Sequence, residues 1–186
     1  MKLVALSLLV AVAVGYLVGG RLSRLADLRL RWAPLALFGL ALQVVEPPGR
    51  WPLVLLIGSF VLLIAFAIAN VRTVGFPIVL AGVLMNCTVI VVNGGMPVTR
   101  EAIVASGQPE TLRPLLDHPT TKHHLAGEDD RLLVLGDVIA IPPPVGQVLS
   151  VGDVFTYGGV AVVIVAAMRR RPPRVAALPE ACCVEV

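Results

Sequence analysis

The chain has 186 residues, 57% of them hydrophobic, 15% charged and 5% aromatic, with a mean hydropathy of +0.89. A single compact water-soluble domain of this length needs far more polar surface, so that class is excluded. The formal net charge of +3 and the pI near 9.1 come without any basic–aromatic stripe to hold bases and phosphates, so nucleic acid is not an expected partner.

Five apolar segments predict an all-α membrane protein of about five transmembrane helices, at roughly 2–20, 32–46, 52–70, 74–92 and 153–168. The first, "KLVALSLLVAVAVGYLVGG", resembles a secretory signal, with Ala11-Val12-Ala13 at a plausible cleavage position. Arg21, Arg24, Arg29 and Arg31 follow it at once, and positive charge there resists translocation, so a retained helix is expected. The second, "WAPLALFGLALQVV", reaches only about 21 Å at about 1.5 Å per residue. With Trp32 before it, Glu46-Pro47-Pro48-Gly49 after it and Trp51 opening the next segment, it reads as half of a helical hairpin. A re-entrant segment is the alternative.

Lysine and arginine placement orients the set. With the amino terminus outside, Arg21, Arg24, Arg29, Arg31, Arg72, Arg169, Arg170, Arg171 and Arg174 fall inside, against Lys2, Arg50, Arg100, Arg113, Lys122 and Arg131 outside. Residues 1–168 are expected to form one polytopic unit with the carboxyl terminus in the cytoplasm, followed by a basic, disordered tail over 169–186.

That orientation makes 93–152 a long extracytoplasmic loop. Thr99 is suited to cap a short helix over "REAIVAS" that Gly107 ends, and Pro109 to open a second over "PETLRPLLDH". Ile141-Pro142-Pro143-Pro144 predicts an extended return to the membrane. Asn93-Gly94-Gly95 is expected to terminate the fourth span, and Met96-Pro97 to start the cap.

The loop repeats one phrase: Leu135-Gly136-Asp137-Val138 and Val151-Gly152-Asp153-Val154. Glycine permits a positive-φ turn and aspartate accepts bonds from nearby N–H groups. Ser150 or Asp153 is placed to cap the fifth span, and Asp137 to tether the loop to a helix end, Lys122 or His124. An intramembrane aspartyl protease is disfavoured, because both phrases lack the first glycine of the Gly-x-Gly-Asp signature. "GGMPVT" is likewise similar to a signal-peptidase box without its nucleophilic serine. His118, His123 and His124 beside Glu128, Asp129 and Asp130 are weak metal candidates, since no helical His-x-x-x-His pair appears. Within the spans, Asn86 and Thr88 are expected to seek partners across helices. Cys87 reads as a packing residue, and Cys182 and Cys183 as free thiols in the tail.

"NGGMPV" (93–98), "KHHL" (122–125), "LGDVIAIP" (135–142), "SVGDV" (150–154) and "GGRLSRLADLRLRW" (19–32) together resemble a family of small bacterial membrane proteins catalogued as domain of unknown function 5317, over about residues 1–168. The resemblance implies a bacterial plasma-membrane location and brings no activity, substrate or cofactor.

The expected function is therefore non-enzymatic: a lidded helical bundle binding a membrane lipid, or a membrane protein partner, with no cofactor. An extracytoplasmic hydrolase or transferase using His124 and Asp137 is the alternative, and a small-solute transporter or channel a further one.

Overall fold

The computed structural model describes residues 2–45, 47, 51–117 and 122–170. All five apolar segments are helical: α1 (Lys2–Leu17), α2 (Ala33–Val44), α3 (Trp51–Ala69), α4 (Phe76–Asn93) and, last in the chain, a helix over Val151–Arg169. Three of them, α3, α4 and the last, are long and apolar enough to cross a membrane. The 16 residues of α1 and the 12 of α2 reach only about 24 and 18 Å against a hydrocarbon core of about 30 Å. The turn expected at Glu46-Pro47-Pro48-Gly49 lies largely outside the described residues, as do residues 171–186 with Cys182 and Cys183. Arg169, assigned to the tail by sequence, is the final residue of the last helix.

The segment between α4 and the last helix is not all-α. Strand β1 (Met96–Val98) leaves α4, then come α5 (Arg100–Ala105), α6 (Leu112–Asp117), β2 (His123–Leu125), β3 (Asp137–Ile141) and β4 (Gln147–Ser150), which runs directly into α7 (Val151–Arg169). The strands form one mixed sheet in the order β2-β1-β3-β4, with β1 parallel to both neighbours and β3 antiparallel to β4. Both helical expectations in the loop hold. Thr99 Oγ1 accepts from Ala102 N at 3.4 Å, Gly107 has φ +77° after α5, and Pro109 opens the 3₁₀ turn that leads into α6. The proline run is not an extended return. Residues 143–145 form a turn joining β3 to β4, with Gly146 at φ +59°, because a fixed proline φ near −65° fits a turn as well as an extended chain.

Pro97 stands in the central strand, where a missing N–H would normally break the ladder. Here β1 and β3 share the single pair Val98↔Asp137, so Pro97 precedes their pairing, and on the β2 side, where it is in register with His124, its neighbours carry the bonds, Met96 N to Lys122 O and Ala126 N to Val98 O.

Helices α4 and α7 approach closely at glycines, with Phe76 and Val163 sharing an apolar cluster beside them. A Cβ on Gly82 would lie 2.4 Å from Gly152 O, and one on Gly159 would lie 2.6 Å from Val79 N. Small residues let backbones approach where lipid supplies no hydrophobic drive between helices. Gly39 of α2 approaches Ser59 O of α3 in the same way, which makes α2 and α3 a helical hairpin. The main core joins Leu56 and Phe60 of α3, Val79, Val83, Val89 and Ile90 of α4, and Met96 of β1, with Cys87 packed at its edge.

Helix ends gather at two poles. At the sheet pole, Gln147 Oε1 accepts from Leu3 N at the start of α1 (2.9 Å), and Lys122 Nζ donates to Gln43 O in the last turn of α2 (2.7 Å). At the opposite pole, Arg21 N and Arg24 Nη1 donate to Met168 O at the end of α7, at 2.9 and 3.2 Å. Both arrangements satisfy terminal helix groups that have no partner within their own helix.

Candidate functional site

The twin phrases meet at one cavity of about 170 Å³ between the sheet and the helices. Its polar lining is Gln43, Asn86, Lys122, His123, Asp137 and Asp153, and its apolar wall is Leu56, Phe60, Ile90 and Met96. These residues come from α2, α3, α4, β1, β2, β3, α7 and the residue before β2.

Asp153 is held by a capping box. Ser150 Oγ accepts from Asp153 N (2.9 Å), and Asp153 Oδ2 accepts from Ser150 N (3.2 Å). The negative side chain in the first turn also opposes the positive end of the α7 dipole. Asn86 reaches across from α4, donating from Nδ2 to Asp153 Oδ1 (2.7 Å) and accepting from Ser150 Oγ at Oδ1 (2.8 Å). One amide thus ties α4 to the start of α7. Thr88 makes no such link; its hydroxyl returns to Leu84 O of its own helix.

Gly152 is required by that amide. A Cβ there would lie 2.0 Å from Asn86 Oδ1 and 2.8 Å from Gly82 O. Gly136 plays the parallel part for Asp137, since its Cβ would lie 2.7 Å from Pro97 O. The positive-φ turn expected at each glycine is absent: Gly136 has φ −74°, and Gly152 lies within α7. What each supplies is missing volume beside an aspartate that faces the cavity.

Asp137 is 9% exposed. Its backbone O accepts from Thr99 N (3.1 Å), tying β3 to the start of α5. Among the described residues no hydrogen bond reaches its carboxylate, and His123 Nε2 stands 3.9 Å from Oδ2. Burial, with the Asp153 charge added, pushes its pKa up to about 7. His124, the histidine that the sequence favoured near Asp137, points elsewhere: its Nε2 is 2.8 Å from Asp130 Oδ1. Burial raises the Asp130 pKa, but bonds from Gly127 N–H and His124, together with the His124 charge, outweigh that and hold it below the ordinary carboxylate value.

Asn93 and Gly94 end α4 as expected, with Gly94 in the left-handed region at φ +68° and Gly95 N donating to Ile90 O. Met96 lines the cavity, and Pro97 is fully buried in β1. His118 lies outside the described residues. Among those described, no three His, Cys, Asp or Glu side chains cluster closely enough to hold a metal ion. Sequence reasoning missed Gln43 as a cavity residue and named Lys122 only as one candidate tether for Asp137. What brings both to the cavity is tertiary packing, which is not legible before folding.

A mostly helical chain with three helices fit to cross a bilayer, and a small mixed sheet over one pole, has the build of a helical membrane protein. A family model described as "Family of unknown function (DUF5317)" matches residues 27–165, more than half of the chain, and the protein belongs to that family. No curated protein and no solved structure matches it.

Proposed function

We propose that this is a multi-pass bacterial plasma-membrane protein, amino terminus outside and carboxyl terminus inside. Residues 93–152 form its extracytoplasmic lid, and it binds a membrane lipid through the headgroup without catalysing a reaction. The carrying observation is the cavity: its lining combines charged and amide groups with the apolar Leu56, Phe60, Ile90 and Met96. An apolar wall with a few convergent polar groups suits an amphipathic ligand. The arginines at the pole opposite the sheet support the orientation. Among the described lining residues there is no serine, threonine or cysteine to act as nucleophile, and His124 is engaged with Asp130, which favours binding over acyl transfer.

The test is purification of the full chain in mild detergent, with mass spectrometry of retained lipids, beside Met96→Trp, which fills the cavity. A lipid kept by the wild type and lost by the variant supports the reading. No reproducibly retained lipid, or equal retention by the variant, defeats it.

A further inference from the structure

We propose that the cavity takes a primary ammonium group, held between the Asp137 and Asp153 carboxylates; this rests on the lipid-binding reading and names the headgroup chemistry. Such a group is carried by an aminophospholipid or by a small free alkylamine.

Charge comes first. With both carboxylates ionised and His123 neutral, the described lining residues set two negative charges against one lysine and leave a single negative charge. A monovalent cation balances it. A divalent ion overshoots, and no three-ligand cluster is present among the described residues to hold one. An anionic headgroup would meet the two carboxylates and be repelled.

Donor supply then narrows the cation. The Asp153 oxygens are each engaged, Oδ1 by Asn86 Nδ2 and Oδ2 by Ser150 N. The Asp137 side chain, 12% exposed, receives no hydrogen bond among the described residues; His123 Nε2 lies 3.9 Å from Oδ2, within ion-pair reach when the imidazole is protonated but too far for a hydrogen bond. No side-chain oxygen among the described residues is both sealed from solvent and without a partner, so the unbonded Asp137 oxygens open onto the cavity, where a ligand's donors can reach them. A primary ammonium brings three N–H donors; a trimethylated one brings none and leaves Asp137 unmet. Burial, with the Asp153 charge added, raises the Asp137 pKa to about 7, so its carboxyl carries a proton part of the time near neutrality. A bound cation would draw that proton off.

Size agrees. About 170 Å³ holds several waters at about 30 Å³ each, or an aminoethyl group, but not a sugar-sized head. The Phe60 ring in the cavity wall adds a surface of the kind that attracts cations.

The experiment uses the full chain in mild detergent, exchanged against equal amounts of phosphatidylethanolamine, phosphatidylglycerol and phosphatidylcholine and read by native mass spectrometry. The wild type should retain phosphatidylethanolamine at least about tenfold over the other two, and Asp137→Asn should remove most of that preference, as expected for loss of a charge-assisted bond. A second measurement needs no variant: retention should fall stepwise across mono-, di- and trimethylated phosphatidylethanolamine. Ethanolamine resolves the source. If it binds the wild type while no lipid is retained, the ligand is a soluble amine: the ammonium assignment stands and the lipid reading falls. Equal retention of ethanolamine and choline lipids, preference for phosphatidylglycerol, or indifference to Asp137→Asn overturns the ammonium assignment while lipid binding survives. If neither lipid nor ethanolamine binds, both fall.

Discussion

Asn70 and Asn93 make the same clamp at opposite poles of the molecule. Each follows or ends a long helix and donates from Nδ2 to the carbonyl four residues back, Phe66 O at 2.8 Å and Val89 O at 3.0 Å. Each then brackets the backbone of a distant arginine. Asn70 bonds Arg31 N and O, both at 2.8 Å, and Asn93 bonds Arg131 N at 2.8 Å and O at 2.9 Å. In both cases the next residue is apolar, exposed and left-handed: Trp32 at φ 57° and Leu132 at φ 56°. The clamp holds the chain through a conformation that L-residues disfavour.

Asn70→Ala should therefore lower stability by about 1–3 kcal/mol, the cost of leaving partly buried backbone groups unmet. Asn93→Ala should cost less, because its clamp is closer to solvent. Leu132→Gly should raise stability by up to about 1 kcal/mol by relieving the left-handed strain. Thermal unfolding in one detergent checks all three; a Leu132→Gly variant melting well below wild type would show that its side chain, not its backbone, matters there.

Asn86 is the hinge pin between α4 and α7. Asn86→Leu removes the donor to Asp153 and the acceptor for Ser150 Oγ together, and should destabilise by about 2–5 kcal/mol, since a carboxylate loses its partner. Ser150→Ala, which removes a cap while leaving the amide–carboxylate bond, should cost nearer 1 kcal/mol. Urea titration of the two variants gives the ordering, and a reversed order would refute the assignment.

Adjacent glycines in α7 should behave oppositely. A methyl at Gly159 meets Val79 N at 2.6 Å and Gly75 O at 3.0 Å, whereas nothing lies within 4 Å of one at Gly158. Gly159→Ala should lose about 1–3 kcal/mol through forced separation of the helices. Gly158→Ala should be neutral or gain up to about 1 kcal/mol from helix propensity. Paired melting curves decide it.

The raised Asp137 pKa predicts a pH slope. With a folded value of about 7 above an ordinary 3.8, the folded protein binds more protons than the unfolded chain between those values. This contribution is therefore most favourable at the acid end and is lost as pH rises towards 7. The melting temperature of ligand-free protein should fall from pH 5 to pH 8, and Asp137→Asn should flatten that slope. Of the charged and titratable groups around Asp137, Asp153 acts on its pKa, His123 stands 3.9 Å away, Lys122 lines the same cavity, and Tyr157 lies within reach of its charge. Repeating the series in His123→Gln separates the imidazole, 3.9 Å away, from the carboxylate.

Orientation has a direct readout in single-cysteine chains. Val134, 69% exposed beside the sheet, should react as Val134→Cys with an impermeant maleimide in intact cells. Arg72→Cys, between α3 and α4, should react only after permeabilisation. The opposite pattern would invert the proposed topology.

The helices were legible because their cause is local. An apolar run needs no distant partner to become helical in lipid, where each backbone group must be satisfied within its own segment. So the five apolar segments, the Thr99 and Ser150–Asp153 caps and the Gly94 stop could all be read from neighbouring residues. The sheet could not. Strands of three to five residues carry too little alternation to register, and β1 finds partners 27 and 39 residues away, at His123 and Asp137. Pro97 argues locally against a strand, and only its place ahead of the β3 pairing, with its neighbours carrying the bonds to the β2 side, makes it tolerable. The cavity depends still more on tertiary structure. The sequence marked Asp137 and Asp153 as a pair, but their convergence, the spacing role of Gly136 and Gly152, and the choice of His123 over His124 follow from strand register and helix packing. Lys122 entered the site by bonding a backbone carbonyl of Gln43, a group every residue carries and no sequence distinguishes.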